Sequence, residues 1–297
     1  MAAGKKAARG VNPSMVGESW ELCGLEGRES VVTNGMLKAN DIAELTEVYM
    51  GELVGDGVYD KYGVEFPLLL KFIDSHQQLS VQVHPTDEFV ADEGLRGKTE
   101  MWYVVDAAPD SYIYLDWNRT LTEEEFDQAV EDGTVENYLN RIAVTKGDAF
   151  LIPAGTVHSI GSGVVVAEVQ ESSDITYRLY DYMRRDSEGR LRELHLDCAL
   201  DVACLKPYET PPRVKLSENI MAVCDYFEAR KCKLNFTKAT YFADKSSFVA
   251  VTCVEGSASL DGEPVSLGDT LFVPAGYGEL TLEGCGTLLL VSVPKES

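Results

Sequence analysis

Two short segments of this chain carry side chains that could bind a metal ion. Residues 79–85 read Leu-Ser-Val-Gln-Val-His-Pro, and an extended strand would place Gln82 and His84 on one face because they are two residues apart. Residues 147–158 read Gly-Asp-Ala-Phe-Leu-Ile-Pro-Ala-Gly-Thr-Val-His, so His158 follows a Pro-x-Gly turn that ends an apolar strand. Two of the four histidines therefore stand where a metal could be held.

The elements that must position these residues are predicted to be mostly short strands. Residues 122–125 break this pattern because they form a capping box, and the apolar positions after them follow helical spacing. A second short helix near 135–141 would complete a helical insertion at about 120–142, and another short helix begins near Thr86. Runs of β-branched and aromatic residues bounded by Gly, Pro, Asp and Ser predict strands at 67–73, 79–83, 101–105, 112–115, 149–152 and 164–169.

The second half of the chain repeats a segment of the first. Residues 147–158 align without gaps with residues 268–279, which read Gly-Asp-Thr-Leu-Phe-Val-Pro-Ala-Gly-Tyr-Gly-Glu. A repeat in register between two β-rich halves predicts two copies of one β-fold. Glu279 aligns with His158, and no Gln-x-His segment precedes it. We therefore expect the second copy to lack a metal and to keep a packing role.

The predicted domain organisation follows the order of the chain. Residues 1–15 lack periodicity and are predicted to be disordered or loosely attached. Residues 16–205 form the predicted catalytic domain, and residues 214–297 form a C-terminal domain without metal. Between them, the proline-rich stretch at 206–213 is predicted to be a linker.

Composition excludes several classes of partner. A net charge of −23, from 49 acidic and 26 basic residues, argues against nucleic-acid and anionic-membrane partners, and an anionic substrate would need a local cluster of Lys and Arg. Seven cysteines without a Cys-x-x-Cys pair indicate reduced thiols and a cytoplasmic protein. The basic N-terminus has no apolar stretch behind it, so no secretory signal is predicted, and no window has the apolar length of a membrane span.

The motifs as a set resemble a known family. The pattern Gly-x5-Pro-x-Gly-x2-His at 147–158 resembles the second motif of the cupin superfamily, and Gln82-Val-His84 resembles a variant of its first. With the motifs at 17–21, 97–100 and 171–182, the chain resembles the type I mannose-6-phosphate isomerases in their short bacterial form, over roughly residues 17–297. The resemblance implies an all-β fold of two cupin barrels (double-stranded β-helix, or jelly-roll), with a small helical insertion in the first.

One family motif is missing from this sequence. Family members usually carry a Lys-x-x-Trp-Gly-Gly run before the Gly-Glu-Ser-Trp motif, and no such run precedes that motif here. An edge strand of the first barrel is therefore expected to be absent or replaced.

The resemblance also implies a metal site and a reaction. In the family one Zn²⁺ is held by residues that correspond to Gln82, His84, Glu100 and His158. A nitrogen and oxygen ligand set without thiolate suits Zn²⁺ acting as a Lewis acid, and it would also suit Mn²⁺, Fe²⁺ or Co²⁺. The implied reaction interconverts mannose 6-phosphate and fructose 6-phosphate through an enediolate, which requires a base and stabilisation of charge on two neighbouring oxygens.

Further residues are candidates for catalysis and substrate binding. Lys98 would face the site if it shares a strand with Glu100, and there it could act as a base or as a hydrogen-bond donor to the substrate. Glu168 is the other base candidate, and the sequence does not rank the two. Arg178 resembles the family's active-site arginine, which would hold the enediolate or the phosphate. Asp174 could orient its neighbours. Ser80 could contact the substrate or its phosphate, and Arg184, or Arg185 in its place, could supply positive charge for the phosphate.

Two competing functions stay open at this point. One is another metal-dependent cupin enzyme, such as a sugar-phosphate isomerase or epimerase with a different substrate; an iron oxygenase is disfavoured because Gln82 and Glu100 depart from the two-histidine, one-carboxylate triad. The other is a non-catalytic sugar-binding cupin. The predicted partner is a small sugar phosphate, and either a monomer or a homodimer is possible. His76 and His195 are predicted to have structural or surface roles.

Overall fold

The computed structural model describes residues 2–4, 16–185, 188–208, 217 and 219–295. Its strands are β1 Ala2–Gly4, β2 Glu18–Leu22, β3 Val31–Val32, β4 Leu68–Ser75, β5 Val81–Val83, β6 Glu100–Ala107, β7 Tyr112–Trp117, β8 Leu139–Ala143, β9 Ala149–Ile152, β10 His158–Ile160, β11 Val164–Glu171, β12 Tyr177–Tyr180, β13 Ile220–Val223, β14 Glu228–Ala243, β15 Val249–Leu260, β16 Glu263–Ser266, β17 Thr270–Val273 and β18 Gly278–Ser292. Its α-helices are α1 Ile42–Tyr49, α2 Gly51–Val54, α3 Asp56–Tyr62, α4 Asp87–Val90, α5 Glu123–Glu131 and α6 Leu196–Val202, with 3₁₀ turns at Ala91–Glu93 and Val135–Tyr138.

The chain folds into two compact units that do not follow its linear order. The first contains residues 1–73, 167–172 and 214–297, and the second contains residues 74–166 and 173–213. Within the first unit, Ala275 N donates to Leu53 O at 2.9 Å and Phe248 N donates to Val54 O at 3.1 Å, so main-chain hydrogen bonds tie the N-terminal helices to the C-terminal strands.

The predicted domain boundaries, 16–205 and 214–297, therefore stay a prediction, and the compact units group the chain differently. Most of the predicted linker at 206–213 lies outside the described residues. The disorder predicted for residues 1–15 also falls largely outside them. Residues 2–4, which are described, form β1, and β1 pairs antiparallel with β17 and β3.

The first unit is built on a long antiparallel sheet. The strand order is β13-β14-β18-β15-β17-β1-β3, with β16 paired to β15, and β2 pairs separately with β4. One side of this sheet carries an apolar cluster that includes Val249, Leu271 and Leu280. Because successive side chains of a strand point to opposite faces of the sheet, every second residue contributes to this core.

The second unit carries the strands that were predicted to hold the metal. Its five-stranded sheet has the order β12-β5-β10-β7-β8, and β6 pairs antiparallel with β9. The fold class is confirmed, since the chain is mostly β with a helical insertion and two β-rich copies. The described strands form open sheets with a linear order of strands, where closed barrels were predicted.

The helical insertion covers the back of the second unit's sheet. Thr122 and Glu125 make the predicted capping box at the start of α5. From this helix Phe126 and Ala129 are buried in one apolar cluster with Val81 and Val83 of β5. Because side chains alternate along a strand, this cluster lies on the face opposite Gln82. The insertion therefore supports the sheet from behind.

The second predicted helix of the insertion is shorter than expected. Residues Val135–Tyr138 form one 3₁₀ turn, and β8 then begins at Leu139, where the prediction placed helix up to residue 141. Pairing with β7 overrides the local helical tendency, since Leu139 lies opposite Trp117 and Arg141 lies opposite Tyr114.

Helices α1 to α3 were not predicted, because the region after Trp20 was interpreted as strands. The sequence does contain the signal, since Asp41 and Glu44 form a capping box in which Glu44 N donates to Asp41 Oδ1 at 2.8 Å. Ile42 and Leu45 bury one face of α1. None of the described helices has both the length and the apolar character needed to span a bilayer.

The internal repeat is confirmed as a repeated structure. In each copy an aspartate closes the turn before the strand: Asp148 Oδ2 accepts from Thr145 N at 2.8 Å, and Asp269 Oδ2 accepts from Ser266 N at 3.0 Å. The preceding glycines have φ values of 93° and 87°, which disfavour a side chain at both turns. Strands β9 and β17 then occupy the same positions of the aligned segments.

The two copies differ at the positions that matter for a metal. Glu100 lies opposite Ile152 in the first copy, whereas Val249 lies opposite the aligned Val273 in the second. An apolar residue thus replaces the carboxylate. The residue aligned with His158, Glu279, is exposed, and the next residue, Leu280, is buried in the apolar cluster instead. The second copy therefore presents apolar side chains at these interior positions.

Candidate metal centre

Three predicted site residues lie in one row across the second unit's sheet. Gln82 on β5 lies opposite His158 on β10 and also opposite Arg178 on β12. Directly opposed residues on antiparallel strands project to the same face. The sheet thus brings together residues that are 76 and 96 positions apart in sequence, and local pattern alone could not have supplied this register.

His84 and Glu100 complete a cluster with His158. His84 Nε2 lies 3.6 Å from Glu100 Oε2, and His158 Nε2 lies 3.4 Å from Glu100 Oε1. One ligand atom from each residue lies within 4.8 Å of the others, a spacing that one metal ion could bridge. All three side chains are at most 1% exposed.

Main-chain carbonyls fix the orientation of both imidazole rings. His84 Nδ1 donates to Ile175 O at 2.8 Å, and His158 Nδ1 donates to Thr156 O at 2.8 Å. A carbonyl oxygen can only accept, so in the neutral ring the lone pair is on Nε2. Metal-ligating histidines characteristically donate their second ring N–H in this way.

The donor chemistry of the cluster fits a divalent cation. Two Nε2 lone pairs and a carboxylate face one another, and all of these groups are acceptors when the rings are neutral. A cation between them would be attracted to every one of them, and two imidazoles with one carboxylate are an ordinary zinc donor set. His84, Glu100 and His158 are therefore a candidate metal-binding triad.

Gln82 adjoins this triad through its side-chain amide. Its Nε2 lies 3.2 Å from His158 Nε2. The amide oxygen and nitrogen exchange places on a 180° rotation of the side-chain amide, and the oxygen is the atom that can ligate a metal. The placement is compatible with the predicted fourth ligand.

Lys98 is held against the triad by a turn of the main chain. Its Nζ lies 3.1 Å from Glu100 Oε2, and its side chain is 5% exposed. Lys98 precedes β6, so it reaches the site from a loop and not from the strand that was predicted. Lys98 N donates to Pro85 O at 3.0 Å, and Gly97 N donates to Asp87 Oδ1 at 2.7 Å. These two bonds fix where the lysine side chain starts.

Gly97 leaves no room for a side chain, so replacing it by alanine should displace Lys98. An added Cβ would lie 2.4 Å from Asp87 N and 2.6 Å from the Thr86 carbonyl carbon. We expect Gly97→Ala to lower the free energy of unfolding by about 2 kcal/mol, as overpacking does. It should also reduce turnover while the metal content stays unchanged, because Lys98 is not one of the predicted ligands. Urea unfolding, kinetics and metal analysis would measure the three effects.

Gly57 provides the matched control for this substitution. It lies in α3, and nothing lies within 4 Å of its added Cβ. Gly57→Ala should leave turnover unchanged and raise stability by up to about 1 kcal/mol, as expected for an exposed helix position. Normal turnover in folded Gly97→Ala would contradict the role given to this turn.

Arg178 has an unusual environment for an arginine in an acidic protein. Its Nε is buried and has no hydrogen-bond partner among the residues that the structure describes. Burial lowers the pKa of its guanidinium most, and the positive charge of Arg192 lowers it further. The main chain is well fixed, since Arg178 N donates to His195 Nδ1 at 3.2 Å and His195 N donates to Arg178 O at 2.9 Å. His195 therefore has the structural role predicted for it.

The other predicted site residues have different surroundings. Ser80 is buried immediately before β5, whereas Asp174 is exposed in the loop between β11 and β12. Arg184 donates to Gln78 O at 2.7 Å and pairs with Asp181. Its guanidinium is thus engaged with the protein itself, and a contact with substrate phosphate stays a prediction.

Glu168 forms a buried ion pair that the sequence analysis did not anticipate. It lies on the part of β11 that belongs to the first unit, and its Oε1 lies 3.0 Å from Lys71 Nζ on β4. The two side chains are 3% and 8% exposed. Lysines are almost never buried without a partner, so the run Leu-Leu-Leu-Lys-Phe-Ile at 68–73 was the available signal for Lys71.

Comparisons with known proteins give a consistent picture. The family model described as the catalytic domain of type I phosphomannose isomerase matches residues 6–116, and the model described as the cupin domain of mannose-6-phosphate isomerase matches residues 217–293. The first match contains Gln82, His84 and Glu100. The second covers the copy in which Val249 replaces the carboxylate.

Individual proteins are similar to this chain over most of its length. Mannose-6-phosphate isomerase ManA of Bacillus subtilis is 38% identical over 285 residues, which cover 90% of this chain and 86% of that protein. Mannose-6-phosphate isomerase of Streptococcus mutans is 34% identical over 266 residues, with 87% and 82% covered. A crystal structure of the mannose 6-phosphate isomerase from Bacillus subtilis superimposes with a TM-score of 0.79 at 32% identity and covers 93% of this chain and 89% of that chain.

Proposed function

Because this chain belongs to the type I mannose-6-phosphate isomerase family, we propose that it interconverts mannose 6-phosphate and fructose 6-phosphate with one bound Zn²⁺. The observation that carries the proposal is the buried triad of His84, Glu100 and His158, in a chain so similar to isomerases of this name. A structural role alone would not require two imidazoles whose Nε2 atoms both face one carboxylate.

His84, Glu100 and His158 would hold the zinc, with Gln82 as the fourth ligand. When bound, the zinc polarises the substrate carbonyl and lowers the cost of negative charge on the neighbouring oxygens. The carbonyls of Ile175 and Thr156 keep both rings in the ligating orientation. The protein thereby fixes the ligand geometry before substrate arrives.

The reaction moves a proton between C1 and C2, so one side chain must accept and return it. Of the two candidates, Lys98 has its Nζ 3.1 Å from Glu100 Oε2, where its N–H groups can donate hydrogen bonds. We assign Lys98 to donate to a substrate oxygen. Glu168 stays the other base candidate from the sequence, and within the first unit its Oε1 lies 3.0 Å from Lys71 Nζ.

Arg178 is proposed to stabilise the charge that develops as the enediolate forms. It lies directly across from Gln82 in the sheet, beside the residues proposed to hold the metal. Its planar fork can donate two parallel hydrogen bonds to neighbouring oxygens. Ser80 could contact the substrate from the same strand region, and Asp174 and Arg184 stay secondary candidates.

A coupled assay tests this function directly. Purified protein is given mannose 6-phosphate, and the formation of fructose 6-phosphate is followed before chelation, after chelation and after Zn²⁺ is returned. We expect activity to be lost with the chelator and restored by zinc. Restoration by Mn²⁺ or Co²⁺ and not by zinc would support the reaction while replacing the proposed metal.

Failure of the zinc-loaded protein to act on mannose 6-phosphate would contradict the proposed function. A panel of other sugar phosphates would then separate an isomerase of different specificity from a binding protein. The cytoplasmic location and the choice between monomer and homodimer stay predictions from the sequence.

A further inference from the structure

Asp116 is a buried acid near the end of β7 that lacks a positively charged partner. It is 5% exposed, and no basic side chain in the described part of the chain forms an ion pair with it. Its carboxylate accepts two main-chain hydrogen bonds instead, from Trp117 N at 2.8 Å and from Tyr208 N at 2.7 Å. Burial raises the pKa of this carboxyl, and the two hydrogen bonds act in the opposite direction. Burying a carboxylate costs free energy, so its place here needs a physical reason.

The backbone of Asp116 is unusual for a residue within a strand. Its φ of 64° lies in the left-handed region, where aspartate is found more often than most residues. The pairing of β7 with β8 changes register between Tyr114 and Trp117, so a β-bulge contains this residue. A bulge re-aims a side chain relative to the regular alternation of a strand. Here it directs the Asp116 carboxylate at Tyr208 N.

The segment at 204–208, which we call the strap, lies against the turn that follows β9. At its start, Cys204 N donates to Gly155 O at 2.9 Å. At its end, the Tyr208 hydroxyl accepts from Thr156 Oγ1 at 3.2 Å. The strap therefore contacts this turn at both of its ends, and the hydrogen bond from Tyr208 N to the buried carboxylate fixes the second end.

The same turn orients the imidazole of His158. Thr156 O accepts from His158 Nδ1 at 2.8 Å. The carbonyl before it, Gly155 O, is held by the strap, and the carbonyl after it, Val157 O, accepts from Asp116 N at 2.7 Å. Both neighbours of the orienting carbonyl are therefore fixed, one by Asp116 directly and the other through the strap that Asp116 anchors.

We propose that Asp116 is a positioning residue for the metal centre. By anchoring the strap, it holds the turn before His158 so that Thr156 O keeps the imidazole in the orientation that binds the metal. Groups that orient a ligating histidine contribute to metal affinity without touching the metal. The inference rests on the proposed function, whose zinc site it extends to a residue that contacts neither metal nor substrate.

The first test removes the carboxylate and keeps the backbone. In Asp116→Gly the main-chain N–H stays, and glycine adopts a φ of 64° without strain. Zinc affinity is measured by competition with a chromogenic chelator, without substrate. We expect it to fall about 10-fold or more, as it does when a residue that supports a ligand is lost. The absorption spectrum of the cobalt-loaded variant should change as well, because it depends on the ligand geometry.

Asp116→Asn separates positioning from charge. Asparagine keeps an oxygen that can accept from Tyr208 N and tolerates the left-handed backbone, but it carries no negative charge. We therefore expect Asp116→Asn to recover most of the zinc affinity and the wild-type cobalt spectrum. Equal losses in Asp116→Asn and Asp116→Gly would assign the effect to charge and overturn the inference.

Tyr208→Phe tests the strap from its other contact. It removes the hydroxyl that Thr156 Oγ1 contacts and keeps the main-chain N–H. We expect a smaller loss of zinc affinity, and little further loss when it is combined with Asp116→Gly, because both changes act through the strap. Fully additive losses would overturn the inference. If Asp116→Gly does not fold, Tyr208→Phe decides alone, and wild-type zinc affinity in that variant would overturn it.

Ser111→Ala is the matched control, because it removes a buried polar group just before the start of β7, away from the strap. Ser111 Oγ donates to Ser162 O at 3.1 Å and to Gly163 O at 3.2 Å. This variant should lose stability and keep its zinc affinity. A loss of zinc affinity equal to that of Asp116→Gly would indicate general destabilisation and overturn the inference.

The zinc titration also separates this inference from the proposed function, since it needs no turnover. An inactive wild type whose zinc affinity still depends on Asp116 would remove the function and keep the positioning role. An active wild type whose zinc affinity is the same in Asp116→Gly would keep the function and overturn the positioning role.

Discussion

Replacing His158 by alanine is expected to remove the bound metal and nearly all isomerase activity. The ring supplies one of three converging atoms that could ligate a metal, and its Nε2 lies 3.4 Å from Glu100 Oε1. Losing a residue that merely supports a ligand already costs about 10–100-fold in metal affinity or activity, so losing the ligand itself should cost more than about 100-fold. Metal analysis of the purified variant and the coupled assay measure the two effects.

The controls for this variant address folding and surface histidines. His158 is fully buried, so alanine also leaves a cavity, and His158→Gln provides a second variant that fills more of the space. His76→Ala changes a histidine that is 68% exposed and should leave metal content and activity unchanged. A folded His158→Ala or His158→Gln protein with a full complement of metal would refute the ligand set.

Replacing Arg178 by lysine is expected to reduce kcat/KM by about 10²- to 10³-fold, the cost of removing one preorganised donor from a developing oxyanion. Lysine keeps the positive charge but loses the planar fork, so it cannot donate two parallel hydrogen bonds. Metal content should not change, because Arg178 is not a ligand. The two measurements together distinguish loss of the arginine from damage to the metal site.

Arg119→Lys is the matched control for the lysine substitution. Arg119 donates two hydrogen bonds of 2.9 Å to the Glu125 carboxylate at the start of the helical insertion, so it also uses a bidentate fork. That pair is exposed and lies on an element that supports the back of the sheet. We expect no kinetic change in Arg119→Lys, and wild-type kinetics in Arg178→Lys would exclude the catalytic role.

The strands that carry the candidate ligands could be predicted because their signals are local. Period-two spacing places Gln82 and His84 on one face, and the Pro-x-Gly turn ends the strand before His158. The start of α5 could be predicted for the same reason, because a capping box is contained within four residues. Register between distant strands was not predictable in this way. The row of Arg178, Gln82 and His158 appears only when the sheet forms.

The remaining misses have physical causes that can be named. The second helix of the insertion was predicted to reach residue 141, but pairing with β7 makes Leu139 and Arg141 part of a strand. Lys71 was missed because its partner Glu168 is distant in sequence. The alignment of Glu279 with His158 was formally gapless, yet Leu280 is the buried residue in the second copy. A shift of one residue along a strand reverses which side chain faces the interior.

The interleaving of the two compact units has a consequence for how the chain folds as it is synthesised. Residues 74–213 contain the whole of the second unit, together with one strand segment of the first at 167–172, so the second unit can assemble while the C-terminal third is still being translated. The helices at 42–62 must wait, because they join strands that emerge last; Lys61 Nζ donates to the carbonyl of Asp225, 164 residues later. The first unit therefore contains the start of the chain but is completed last. The apolar faces of its helices stay uncovered for most of translation.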